Sequence, residues 1–111
     1  MASEEAQQIL GQAQIYQQQI QGIMAQKEML ASQIAEIDKA LEELANTKEK
    51  QVYRISGPIL LKTGKNKVKK ELEDKKEMIN LRLKSLEKSE KKAKEKVDVL
   101  RQKLTKSASA G

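Results

Sequence analysis

The side chains able to do chemistry in this sequence are carboxylates, amines, amides and hydroxyls, for it contains no His and no Cys. That removes thiol nucleophiles, disulfides, most zinc sites and the commonest general base together. Paired carboxylates do acid–base work only where a pocket sets their environments apart. The 16 Asp and Glu residues here lie scattered among 22 Lys and Arg, in polar stretches with no pocket to expect around them. Gly57 is followed by no Gly-Lys-Ser/Thr, and Gly64-Lys65-Asn66 lacks the rest of a phosphate loop. Lys62, Lys65, Lys67, Lys69 and Lys70 form a candidate nucleic-acid footprint. No aromatic residue accompanies them, and Glu71, Glu73 and Asp74 follow at once, so the cluster reads as a solvated helix start. The run Lys88 to Lys96 is interrupted by Glu90 and Glu95 and reads as a solvated face. The expectation is no enzyme, no cofactor, no metal site and no nucleic-acid partner.

With chemistry set aside, the apolar residues carry the information. With no Trp, no Phe and two Tyr among 111 residues, a compact core is not expected. From about Glu4 to Thr47 there is no Pro, and apolar positions step alternately by four and three: Ile9, Ala13, Tyr16, Ile20, Ile23, then Leu30, Ile34, Ile37, Leu41 and Leu44. Lys27 is the one interruption. Such a seam sustained over several heptads predicts a coiled-coil helix, roughly 65 Å long at 1.5 Å per residue. From about Asn66 to Lys106 the pattern returns. Leu72, Ile79, Leu86, Ala93 and Leu100 alternate with Lys76, Leu83, Glu90, Val97 and Leu104.

Between the helices, β-branched and aromatic residues flank Ser56-Gly57-Pro58, the strongest turn signal in the chain. Two strands, about 51–55 and 59–63, are expected, with Ile55 opposite Ile59, Tyr53 opposite Leu61, and Val52 and Leu60 on the other face. The hairpin turns the chain back, so the fold class is mainly α: an antiparallel two-helix coiled coil with one β-hairpin at the bend. The chain reads as one domain, 1–111, with a helix about 4–47, a hairpin about 51–63, a helix about 66–106 and a frayed tail 107–111. Charge agrees with the fold-back. Residues 1–51 carry four Lys and Arg against eight Asp and Glu, whereas residues 52–111 carry eighteen against eight. Two registers stay open. One sets Leu30 opposite Glu90 and Lys27 opposite Ala93; the other sets Ile23 opposite Glu90 and Lys27 opposite Leu86. Either one brings Lys27 and Glu90 into adjacent layers, as a polar pair that fixes register or as two charges that reach solvent separately.

Two surfaces are then candidates. A lone hairpin is marginal in water, and this one carries Val52, Tyr53, Ile55, Ile59, Leu60 and Leu61 with unpaired edges. Several copies joining hairpins into a shared sheet or barrel hub is the expected solution. At the other end, where residues 5–16 meet residues 97–108, Leu10, Ile15 and Val99 lie off the seam. Ile9, Ala13, Val97, Leu100 and Leu104 lie on it, near termini expected to fray and leave them partly accessible. These residues suit weak contact with apolar segments of another protein. No stretch approaches about 18 apolar residues, so no membrane partner is expected. The acidic start Met1-Ala2-Ser3-Glu4-Glu5 is unlike a secretory signal, and the absence of Cys fits a reducing compartment, so a cytoplasmic location is expected.

The order helix, single hairpin, helix resembles the β-type subunit of prefoldin. Tyr16-Gln17-Gln18-Gln19 is similar to the Gln-rich start of the family's first helix, and Lys39-Ala40-Leu41-Glu42-Glu43-Leu44 to its end. Val52-Tyr53-Arg54, Gly57 and Ile59-Leu60-Leu61-Lys62 resemble the family's hairpin. Glu71-Leu72, Leu81-Arg82-Leu83 and Glu87 to Lys96 resemble its second helix. One hairpin rather than two places the chain on the β side, while the strongly basic second half departs from the family pattern. The resemblance implies a hexamer of four β-type and two α-type subunits joined at a double β-barrel hub. It also implies an ATP-independent co-chaperone whose coil tips hold unfolded client proteins and deliver them to a group II chaperonin. The competing reading is a structural tether or adaptor, which has no need of the hairpin.

Overall fold

The computed structural model describes the chain from Ala2 to Ala110, and side chains for residues 4–107. Helix α1 (Ala2–Asn46), strands β1 (Gln51–Ser56) and β2 (Ile59–Gly64), and helix α2 (Lys65–Ala110) follow in that order. Neither helix contains Pro, and Glu4 and Glu5 sit in the first turn of α1, where the helix dipole favours negative charge. The end of α1 is closed by side chains as well as backbone. The Thr47 N–H donates to the Glu43 carbonyl at 3.1 Å, and the Lys65 ammonium donates to the Thr47 carbonyl at 2.9 Å. A lysine at a helix C-terminus satisfies an orphan carbonyl and complements the dipole. α2 extends past the boundary expected at about 106 and continues to Ala110. Ser107-Ala108-Ser109-Ala110 holds no Gly or Pro to stop a helix, and Ala is the strongest helix former. Gly111, the last residue of the expected tail, lies outside the described residues.

Backbone contacts group the chain into two units. The hairpin unit, Met29–Arg82, holds the hairpin and the helical segments adjoining it. Ile37, Leu44 and Ile79 are buried there. Lys76 bonds Asp38 at 2.6 Å, but both side chains are more than a third exposed, and a pair so exposed contributes at most about 1 kcal/mol. A buried Ile or Leu contributes about 1.5–3 kcal/mol, so the apolar seam holds the helices together.

The strands pair antiparallel, with Ser56 opposite Ile59, Ile55 opposite Leu60, Arg54 opposite Leu61, Tyr53 opposite Lys62 and Val52 opposite Thr63. This corrects the expected register by one residue. The loop has two residues, Gly57 and Pro58, and not three, because Gly57 takes φ +57°. Positive φ at the first loop position followed by Pro, which fixes φ negative, is the type II′ pattern whose twist suits a hairpin. The one-residue change moves side chains between faces. Tyr53, Ile55 and Leu60 now share one face; Val52, Arg54, Ile59 and Leu61 share the other. The Lys65 N–H donates to the Lys50 carbonyl at 2.9 Å and carries the ladder one step past the strands.

The terminal unit combines the chain up to Glu28 with the chain from Leu83 onward. Its core is a seam of Ile9, Ile20, Leu86, Ala93, Val97 and Leu100, all buried.

Candidate functional site

In the terminal unit Ile20 packs with Ala93 and Val97, and Tyr16 lies against them. That layer decides between the two registers: it is the one with Ile23 opposite Glu90 and Lys27 opposite Leu86. Lys27 Nζ stands 3.1 Å from Glu90 Oε1, with the two side chains 30% and 13% exposed. Lys94, one turn on, reaches the other Glu90 oxygen at 4.0 Å. Lys27, the polar interruption of the first seam, therefore meets Glu90, one of the two in the second; the other, Lys76, pairs with Asp38.

The residues expected to contact other proteins fall into three groups. Leu10, Ile15 and Val99 are about half exposed or more. Ala13 and Leu104 are half-buried. Ile9, Val97 and Leu100 are buried, with 6–7% of their surface exposed. The expected accessibility of these last three seam residues is not found. Both helices extend past them, and the three side chains are covered in the closed coil. Two features escaped the sequence reading. Met24 is exposed off the seam in this unit; its heptad position alone marked it. A groove of about 440 Å³ lies beside the seam, with Tyr16, Val99 and Leu100 in its wall and Lys92, Lys96 and Lys103 among its lining. Lys92 and Lys96 belong to the run expected to be a solvated face; Lys103 lies beyond it.

In the hairpin unit, Val52 is half-buried, in a groove with Ala40, Leu44, Val68 and Leu72. Arg54, on the same face, forms an ion pair with Glu71 of α2. These two residues tie the hairpin to its own helices. The rest of its apolar surface is open: Tyr53 64%, Ile55 79%, Ile59 56%, Leu60 61% and Leu61 47% exposed. Five large side chains on six-residue strands are far more than scattered exposure accounts for. Among the described residues no group of acidic side chains is placed to hold a metal ion, and no helix is long and apolar enough to cross a membrane.

A helix–hairpin–helix chain with this open hairpin matches known proteins over nearly its whole length. The prefoldin subunit family model matches residues 7–110. The chain belongs to the prefoldin family. It is 41% identical over 101 residues to the prefoldin subunit beta of Thermococcus onnurineus (strain NA1), covering 90% of this chain and 87% of that one. It is equally similar to the prefoldin subunit beta of Pyrococcus abyssi (strain GE5 / Orsay), at 41% identity over 90% of this chain and 86% of that one. The crystal structure of the prefoldin beta subunit from Thermococcus strain KS-1 superposes with a TM-score of 0.85 at 36% identity, over 91% of this chain and 90% of that one. The expected resemblance to the β side of the family holds, as does the expected architecture of two long helices with a two-stranded hairpin between them. Prefoldin subunits are co-chaperones that assemble with other prefoldin subunits, and they are generally not enzymes.

Proposed function

We propose that this chain is a β-type subunit of a cytoplasmic, ATP-independent prefoldin. It joins α-type subunits and further β-type copies, as a hexamer of two and four, through the open Tyr53, Ile55, Ile59, Leu60 and Leu61, while Val52, half-buried against the chain's own helices, holds the hairpin in place. The terminal coil holds unfolded client proteins and passes them to a group II chaperonin. The observation that carries the client-binding reading is the exposure of Leu10, Ile15 and Val99 on a coil whose seam is already closed. Side chains left in water by a folded coil add apolar contact for a client without any opening of the coil. Ile9, Ala13, Val97, Leu100 and Leu104 contribute where the ends breathe, since local opening costs least near termini. Several such coils around one hub bind one client by avidity, so each contact stays weak and reversible.

The test is the triple substitution Leu10→Ser, Ile15→Ser, Val99→Ser. Because these side chains are exposed, helicity and assembly mass should be unchanged, while protection of a denatured model protein from aggregation is lost. A triple variant that protects as well as the parent removes these residues from the binding surface. A plain tether leaves the five open hairpin side chains without a purpose, which disfavours that reading.

A further inference from the structure

The groove in the terminal unit has a composition that selects among clients. We infer that it binds acidic segments bearing an apolar side chain, the apolar group against Tyr16, Val99 and Leu100 and the carboxylates on Lys92, Lys96 and Lys103. The inference rests on the reading that the terminal coil is the client-binding region, and it adds the chemical class of segment preferred.

The spacing of Lys92, Lys96, Val99 and Lys103 by three and four places all four on one stripe of α2. The groove they line with Tyr16 and Leu100 is about 440 Å³, room for one or two large side chains of a segment but not for a folded partner. Glu95 is the one acidic residue of its lining, against three lysines. α1 offers these lysines no counter-charge. Between Ala6 and Gln26 it has no charged residue at all, and the side it gives to the groove is Gln12 and Tyr16. No ion pair or hydrogen bond engages Lys92, Lys96 or Lys103 among the described residues. An uncharged helix thus lies beside a basic one, and the excess positive charge borders an apolar surface. A segment that brings both carboxylates and a Leu or Phe satisfies both features, whereas a purely apolar segment uses one of them. Lysine stems also lie along apolar surface with their ammonium groups in water, so the rim adapts to differently spaced carboxylates.

The experiment measures fluorescence anisotropy of the full chain with labelled synthetic peptides in which Leu and Phe alternate with Glu, with Gln or with Lys. At low salt the Glu peptide should bind at least about fivefold more tightly than the Gln peptide, as expected for a few exposed charge contacts. The advantage should vanish as ionic strength rises. The K92Q/K96Q/K103Q variant should lose the advantage and keep its affinity for the Gln peptide. Equal binding of the Glu and Gln peptides overturns the inference, as does an advantage that survives in the triple variant. So does displacement of the Glu peptide by a single-stranded oligothymidylate at lower concentration, which would make the lysines a nucleic-acid surface. If the Gln peptide binds and L10S/I15S/V99S abolishes that binding, the client-binding reading stands even where the acidic preference fails. If no peptide binds, both fail.

Discussion

Lys27 and Glu90 form the pair whose energetics can be worked most closely. At 3.1 Å the Coulomb attraction of two unit charges is about 1.3 kcal/mol in bulk water and about 5 kcal/mol at an effective dielectric of about 20. Neither figure is net, because desolvation opposes it. Glu90 is only 13% exposed and bears most of that cost; Lys27, 30% exposed, has a long stem that can carry its charge into water. The single variants should therefore be unequal. Lys27→Leu strands a mostly buried carboxylate with only Lys94 at 4.0 Å and should cost about 1–2 kcal/mol, below the cost for a fully buried pair. Glu90→Leu frees a lysine that can reach solvent and should cost about 0.5 kcal/mol or less. The double Leu variant should be close to the parent or more stable, since an apolar layer replaces a desolvated one. The coupling should then be at least about 1 kcal/mol. The assay is urea denaturation followed by circular dichroism at one fixed chain concentration, because assembly contributes to apparent stability. Additive single effects, or a Lys27→Leu variant more stable than the parent, would refute the reasoning.

Other tests address the hairpin and the register. Replacing both Ile55 and Leu60 with Asp puts two charges on the face that carries neither Val52 nor Arg54. If hairpins pair between subunits there, sedimentation should show dissociation with helicity retained, at several kcal/mol per buried charge; an unchanged profile argues against hairpin assembly. Because the chain has no Cys, Ile20→Cys with Ala93→Cys should form one intrachain disulfide on mild oxidation, whereas a crosslink of Lys27→Cys with Ala93→Cys formed instead would indicate the other register. Gly57→Val should weaken the hairpin by about 1–2 kcal/mol, since φ +57° crowds a β-branched Cβ; stability unaffected by this change would mean that the turn relaxes freely.

The heptads made both helices and the fold-back legible, and the composition break at Ser56-Gly57-Pro58 located the hairpin. What escaped the sequence has identifiable causes. A seven-residue slide of one seam along the other leaves apolar residues facing apolar residues, so periodicity alone could not choose between the registers; packing around Ile20 and Ala93 does. The strand register turned on whether Ser56 belongs to the loop or to β1, a difference set by the backbone angle of Gly57. The burial of Ile9, Val97 and Leu100 was missed because sequence gives no direct measure of how far a helix end holds. The groove was missed because lysines on a helix face look alike in sequence, whether they border a neutral partner helix or only water.

The central claim is that this chain works as a subunit assembled through its hairpin. Native mass spectrometry, on the chain alone and mixed with an archaeal prefoldin α subunit, tests that most directly. The account predicts a defined hetero-oligomer on mixing, with the mass of two α and four β chains. A chain that stays a monomer or simple dimer under both conditions would contradict it.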